Sequence, residues 1–226
     1  MRILDRMIDT LIFDLDGTLV NTLPDLARGV NFSLRQNGFA LHTEKEIRSY
    51  LGNGSRVLID KAIGQKVSKS VYDKVFADYL EYYLKHVDIY SHAYEGMKDV
   101  LKYFKSRGYK LFVLTNKPCD AARKLCHSVF GDIFDCVLGN TKDIPTKPDL
   151  TGFNILKNNY HLNTENICYF GDSDVDMITS HNAQCKATIA CAYGYRAATE
   201  LIKFNPQYVI YSPKEILELD IFKRNS

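Results

Sequence analysis

The sequence predicts an α/β fold: a doubly wound parallel sheet with a helical segment inserted after its first strand. Three observations point there. Short apolar runs recur along the 226 residues, and patterns of helical spacing separate most of them. The runs are nearly continuous in apolar residues, which suits strands buried on both faces, as in a parallel sheet. Between the first and second runs lie about seventy residues of helical pattern, many more than a crossover needs.

The first run, TLIFDL (10–15), leads into Asp14-Leu15-Asp16-Gly17-Thr18. No convincing strand follows from about residue 24 to residue 92. PDLARGVNFSLRQNG places Leu26, Val30, Phe32 and Leu34 near helical spacing and stops at Gly38; SRVLIDKAIG and SKSVYDKVFADYLEYYLKHV continue the theme. The Tyr-rich DYLEYYLKH (78–86) reads as an amphipathic helix rather than a ligand cage. The insert is therefore placed at 21–92, with hinges near 20–22 and 91–95, between core segments 1–20 and 93–226. In the second core segment, KLFVLT (110–115), DCVLG (135–139), NICYFG (166–171), ATIACAYG (187–194) and YVIYS (208–212) predict strands. Helices are predicted over 96–107, where Met97, Val100, Leu101 and Phe104 share a face before Gly108, and over 118–130, 148–160, 174–182 and 213–219. Proline in the first turn would start three of these.

Composition narrows the function classes. Hydrophobic residues at 46% and charged residues at 25% are ordinary for a globular chain. A net charge of +2, with Lys and Arg dispersed, excludes a strong electrostatic pull toward nucleic acid or an anionic membrane. A small, positively lined pocket stays compatible with it. No apolar run reaches the roughly 18–20 residues of a membrane helix. MRILDRMIDT lacks the apolar stretch of a signal peptide, and Met7 would also serve as a start. Six cysteines stand singly, at 119, 126, 136, 168, 185 and 191, so no zinc site is expected. Cys136, Cys168 and Cys191 lie in apolar runs, as buried free thiols do in a reducing compartment. The expectation is a cytoplasmic protein, monomeric or homodimeric. Six histidines share no spacing and read as surface or packing residues.

In open α/β sheets ligands bind beyond the carboxyl ends of the strands, where strand order reverses. The first strand ends in Asp14 and Asp16, the second in Thr115-Asn116-Lys117. The stretch after the third leads to TKPDL with Lys147, and the fourth ends in GDSDVD, with Asp172, Asp174 and Asp176. Clustered carboxylates repel and call for a cation, and all-oxygen ligands beside phosphate suit Mg²⁺. One carboxylate can attack phosphorus while a second moves the proton, and Gly17 permits the tight turn between strand and loop. Thr115 and Lys147 would hold the phosphoryl oxygens. Each residue also has a plainer reading: two aspartates capping a loop, a threonine finishing a strand, a solvated lysine, and GDSDVD as a turn with an N-cap. GDSDVD does not match a calcium loop.

DLDGT, TNK, TKPDL and GDSDVDM, in this order and spacing, resemble the four motifs of the haloacid dehalogenase superfamily, and the insert resembles its C1-type helical cap. The resemblance runs over about residues 7–222. LVNTLPDLARGVN and SYLGNGSRVLIDKAIG are similar to the phosphoglycolate phosphatase branch, although Asn21 stands where that branch often carries Asp. The resemblance implies Asp14 as nucleophile and Mg²⁺ ligand, and Asp16 as general acid/base with its backbone carbonyl on the metal. It implies Thr115 on the transferring phosphoryl group with Asn116 beside it, and Lys147 neutralising the nucleophile and phosphate. Asp172 would complete the metal site, and Asp176 would support it through water or Lys147. Asp174 occupies a position that varies in type across the superfamily. In the insert, LGNGSR is either a helix–helix turn or a specificity loop with Arg56 as an anion ligand. The implied activity is Mg²⁺-dependent hydrolysis of a small phosphorylated metabolite through an aspartyl-phosphate, with phosphoglycolate favoured. A sugar-phosphate mutase, a pyrophosphatase and a catalytically silent phosphate-binding module are the alternatives; the complete Asp14, Asp16, Thr115, Lys147 and Asp172 set argues against silence.

Overall fold

The computed structural model describes residues 8–223, so Met7 and the outermost ends of the two expected core segments lie outside the described residues. The chain opens with β1 (Thr10–Phe13), turns, and forms the two-residue β2 (Val20–Asn21). Four helices follow: α1 (Leu23–Gln36), α2 (Glu44–Tyr50), α3 (Gly54–Ile63) and α4 (Lys69–Lys85). The chain then returns as β3 (His92–Ala93), antiparallel to β2. Helix and strand alternate from there: α5 (Met97–Ser106), β4 (Lys110–Pro118), α6 (Cys119–Phe130), β5 (Cys136–Asn140), α7 (Thr151–Asn159) and β6 (Ile167–Gly171). α8 (Asp174–Asn182), β7 (Ala187–Cys191), α9 (Ala198–Leu201) and β8 (Tyr208–Ile210) follow.

Six strands form one parallel sheet in the order β5-β4-β1-β6-β7-β8. Successive strands run outward through β4 and β5 on one side of β1, then through β6, β7 and β8 on the other. The reversal beside β1 makes this the doubly wound sheet expected from the apolar runs, and it aims the ends of β1, β4 and β6 at one rim.

Both faces are covered, which is why the strands carry almost no polar residues. Leu11, Phe13, Leu111, Val113, Cys168 and Phe170 join a cluster with residues of α1, α4, α5 and α6. The alternate positions Ile12, Phe112, Leu114, Ile167 and Tyr169 pack with Phe153 and Leu156 of α7 on the other face. Each such side chain contributes about 1.5–3 kcal/mol when fully buried.

Several boundaries differ from expectation for local reasons. The helix predicted over 148–160 begins at Thr151, because Asp149 closes a turn onto the Thr146 carbonyl and accepts from the Thr151 N–H at 2.7 Å. Pro148 belongs to that turn. Pro118 is the last residue of β4 rather than the first of a helix. Pro213 does open a helix, but a 3₁₀ one, Pro213–Glu218. α2 is an element the apolar patterns do not predict, although Thr43 and Glu46 form a capping box, a T-x-x-E signal visible in the sequence. All six cysteines are free thiols; Cys136 is only half-buried, and burial pushes Cys126 and Cys185 up to about 12, away from reactive thiolate.

The ends of the helical insert are tied together by Asp25, which is buried at the start of α1. Its Oδ2 accepts from the N–H groups of Tyr90 and Ser91 at 2.9 and 2.8 Å and from the Ser91 hydroxyl at 2.8 Å. Asp25→Ala should lower unfolding free energy by about 1–3 kcal/mol in urea titration, because three hydrogen bonds to a buried carboxylate are lost together. A loss below about 0.5 kcal/mol, the ordinary scale of a surface change, would show that the tie is not structural.

Candidate active site

The three strand ends around β1 deliver the polar residues to one cleft between the sheet rim and the helical insert. Asp14, Asp16, Thr115, Asn116, Lys117, Lys147, Asp172 and Ser173 form its floor. Asp14 follows β1 directly, its N–H still donating to the Phe170 carbonyl as the strand ladder continues. The chain must then bend away sharply. Gly17 makes this possible at φ +91°, where a β-carbon would also run into the Asp172 carboxylate.

Lys147 is the hub of the floor. Its Nζ donates to Asp14 Oδ1 at 3.0 Å, Asp176 Oδ1 at 2.6 Å, the Leu114 carbonyl at 2.8 Å and Tyr169 Oη at 3.3 Å. Burial works against its charge, yet Asp14 and Asp176 outweigh it and hold the ammonium well above the usual lysine range. Asn116 sets the lysine's backbone: its Oδ1 accepts from the Lys147 N–H at 2.6 Å and its Nδ2 donates to the Lys147 carbonyl at 3.1 Å. The same Nδ2 reaches the Gly52 carbonyl of the insert at 2.9 Å. The amide expected beside the phosphoryl group is thus already occupied in positioning Lys147.

Asp176 serves two partners. Its Oδ2 accepts from the Ser173 hydroxyl at 2.6 Å and N–H at 3.2 Å, forming a capping box at the start of α8, while Oδ1 faces Lys147. The capping and functional readings of GDSDVD therefore coexist. Asp174 is half-buried and stands apart from the cluster.

Oxygens of Asp14, Asp172 and Asp176 lie within 4.8 Å of one another. Burial, opposed by Lys147 and reinforced by Asp176 and Asp16, pushes Asp14 up to about 6. Asp172 is also driven well above the carboxylate range, by burial and then by Asp14 and Asp176, against donors from the Tyr195 N–H at 2.7 Å and the Thr18 hydroxyl at 3.0 Å. Among the described residues no cation pairs with Asp172. Three close carboxylates and one ammonium leave an excess of negative charge, and hard oxygen donors in that arrangement fit a divalent cation such as Mg²⁺.

The Asp16 carboxylate lies outside that group. Its Oδ1 accepts from Lys117 Nζ at 2.8 Å, and the same ammonium contacts the hydroxyl of Tyr83 on α4. Lys117 is almost fully buried and received no role in the sequence reading. Tyr79 and Tyr83, read as mere helix packing, line the cleft with Leu26, Leu51 and Leu58. Their i, i+4 spacing on a tyrosine-rich helix was the available signal. Arg56, expected as an anion ligand, does not line the cleft; it is exposed, with its guanidinium 4.5 Å over the Phe76 ring. Gly52, in the turn before α3, and Gly54 and Ser55, in its first turn, do line it.

A second loop was missed. The strand expected over 187–194 stops at Cys191, releasing residues that reach the site. The Tyr195 N–H holds Asp172, and the Tyr195 hydroxyl accepts from the Thr22 N–H at 3.0 Å. Two arginines are exchanged across the same seam. Arg48 of α2 donates to the Gly194 and Tyr195 carbonyls at 2.8 and 3.0 Å, and Arg196 donates to the Leu51 carbonyl at 2.7 Å.

Carboxylates just past the ends of β1 and β6, a hydroxyl on β4 and a buried lysine at one rim define a hydrolase site, and the sequence profile of the haloacid dehalogenase-like hydrolases matches residues 11–190. The chain belongs to that family. Curated relatives include the phosphoglycolate phosphatases of Haemophilus influenzae, 31% identical over 92% of this chain and 96% of the relative, and of Psychrobacter arcticus, 33% identical over 87% and 88%. Among solved structures, a predicted phosphoglycolate phosphatase from Haemophilus somnus superposes with a TM-score of 0.86 at 28% identity, covering 93% of this chain and 97% of that one.

Proposed function

We propose that this protein is a Mg²⁺-dependent phosphatase that hydrolyses a small phosphomonoester through an aspartyl-phosphate on Asp14, with phosphoglycolate as the preferred substrate. The observation that carries the reading is the contrast between two aspartates at one strand end: Asp14 bound to Lys147 beside two further carboxylates, Asp16 bound to Lys117 under the insert. The names of the similar proteins favour phosphoglycolate. Residues 21–92 act as a cap over a core formed by 1–20 and 93–226. The chain works in the cytoplasm, as a monomer or homodimer, on a small metabolite. Its modest net charge gives nucleic acid no hold, and no helix among the described residues is long and apolar enough to cross a membrane.

Asp14, Asp172 and the backbone of Asp16 would hold the ion, with Asp176 behind them. Bound there, Mg²⁺ supplies positive charge that neutralises the carboxylates and polarises the phosphoryl oxygens. Lys147 keeps one Asp14 oxygen oriented, leaving the other to attack phosphorus and form the acyl phosphate. As the P–O bond to the leaving group breaks, Asp16 gives that oxygen a proton. In the second half Asp16 takes a proton from water, which attacks phosphorus and releases phosphate and the Asp14 carboxylate. Lys117 engages only Oδ1 of Asp16, so the other oxygen is the one that exchanges the proton. Thr115, buried in β4 just past Leu114 where the pairing with β5 shifts register, donates its hydroxyl proton to the phosphoryl group.

Substrate choice is tested by measuring phosphate release with Mg²⁺ from phosphoglycolate, hexose phosphates, aryl phosphate and pyrophosphate. Preference for phosphoglycolate with little action on hexose phosphates is expected. Preference for pyrophosphate, or transfer without release from a sugar phosphate, would overturn the reading.

The carboxylates also predict how metal binding responds to pH. Protons compete with the ion for Asp14 near its raised value of about 6. Mg²⁺ affinity by calorimetry should therefore hold near pH 7.5 and fall by roughly tenfold per unit below about pH 6. A flat profile down to about pH 5 would remove Asp14 from the ligand set.

A further inference from the structure

We propose that Arg196 determines specificity in this cleft by binding the carboxylate of a phosphomonoester that carries a second anionic group. The inference rests on the phosphatase reading above and assigns a residue outside the four motifs.

Three cationic side chains line the cleft: Lys117, Lys147 and Arg196. Two are neutralised. Lys147 faces Asp14 and Asp176, and Lys117 faces Asp16. Arg196 faces no carboxylate among the described residues. A guanidinium has five N–H donors. Here Nη2 donates to the Leu51 carbonyl at 2.7 Å and Nη1 reaches the Arg48 carbonyl at 3.4 Å, and the remaining donors meet no acceptor among the described residues. These two carbonyls fix the plane of the fork without neutralising its charge.

The surrounding wall sharpens the assignment. Leu26, Leu51, Leu58 and Tyr79 offer the tail of a substrate mainly apolar surface, and the Tyr83 hydroxyl is engaged by Lys117. Arg56, the other arginine considered for this task, points elsewhere, over Phe76. A substrate with its phosphoryl group at Asp14 thus has one unneutralised cation left to meet. A guanidinium fork matches a carboxylate in two parallel hydrogen bonds, and a half-buried setting strengthens them relative to water. A site built around such a contact discriminates strongly against analogues that lack the partner group.

The test compares kcat/KM for phosphoglycolate with kcat/KM for ethyl phosphate, whose tail is similar in length but uncharged. Measurements are made on the wild-type protein, R196Q and R196K, with thermal melts of each. In R196Q the ratio of the two values should fall about 10- to 100-fold, mainly through KM for phosphoglycolate, the scale of a lost hydrogen-bonded charge pair. R196K keeps the charge without the fork, and its ratio should lie between. An equal loss on both esters would overturn the assignment, since Arg196 would then act only by holding Leu51 and Arg48. So would an R196Q protein that keeps wild-type values on both esters, and in both cases the phosphatase reading stands. A wild-type protein that hydrolyses neither ester would sink the phosphatase reading and this assignment together.

Discussion

Asp14→Asn should reduce Mg²⁺-dependent phosphate release by at least about 10⁴-fold, the scale of losing a covalent nucleophile. The substitution is nearly isosteric, and the amide oxygen can still accept from Lys147, which keeps Asp176 as its charged partner. The backbone contact from Asp14 to Phe170 does not involve the side chain. The loss is therefore chemical rather than structural: an amide oxygen does not attack phosphorus at a useful rate. Replacing a buried carboxylate whose pKa is raised by burial should, if anything, stabilise the metal-free protein above about pH 6. Thermal melts in chelator alongside turnover separate the two effects. Turnover within tenfold of wild type, with the fold intact, would mean that Asp14 is not the nucleophile.

The parts of this site legible in the sequence are those attached to strand tips. β1, β4 and β6 are buried on both faces, so each writes an unbroken apolar run, and a carboxylate or hydroxyl at its end stands out. Asp14, Thr115 and Asp172 were found that way. What stayed hidden depends on packing across long separations. Nothing local in TNK tells that Lys117 is buried against Asp16, or that Tyr83 comes down from α4 to meet it. The apolar Ala-Cys-Ala-Tyr-Gly stretch reads as more strand, concealing the point where β7 ends and the loop bearing Tyr195 and Arg196 begins. Arg56 illustrates the same limit from the other side. The Gly-rich loop before α3 does reach the cleft, but the helix phase turns Arg56 outward onto Phe76. Which of two arginines faces a ligand is settled by rotation about a helix and by loop path, and neither is written in residue spacing.

Lys147→Met should destabilise the metal-free protein by about 3–5 kcal/mol near neutral pH, the cost of removing one partner from a buried ion cluster. Methionine fills similar volume, so the loss isolates the charge. The oxygens of Asp14, Asp172 and Asp176 lie within 4.8 Å of one another, and without the ammonium their charges would face each other unbalanced. The pH dependence follows from the shifts. Lys147 is held above the usual lysine range, so its contribution is fully present below the ordinary lysine value and is lost only when pH rises through the folded one; between about pH 5 and 8 it is constant. Asp172 and Asp14, both raised, supply the slope, and Asp14 shows its sign. Its folded value of about 6 lies above the ordinary 3.8, so the native state holds a proton that the unfolded chain has released, and stability falls as pH rises through that interval. Removing Lys147 takes away the charge that restrains this shift, which extends the interval upward. The gap between wild type and Lys147→Met in urea titrations with chelator should therefore widen from about pH 5 to about pH 8, and Mg²⁺ should narrow it by restoring a cation. A gap that stayed constant across those conditions would mean that lost packing, rather than unbalanced carboxylates, explains the destabilisation.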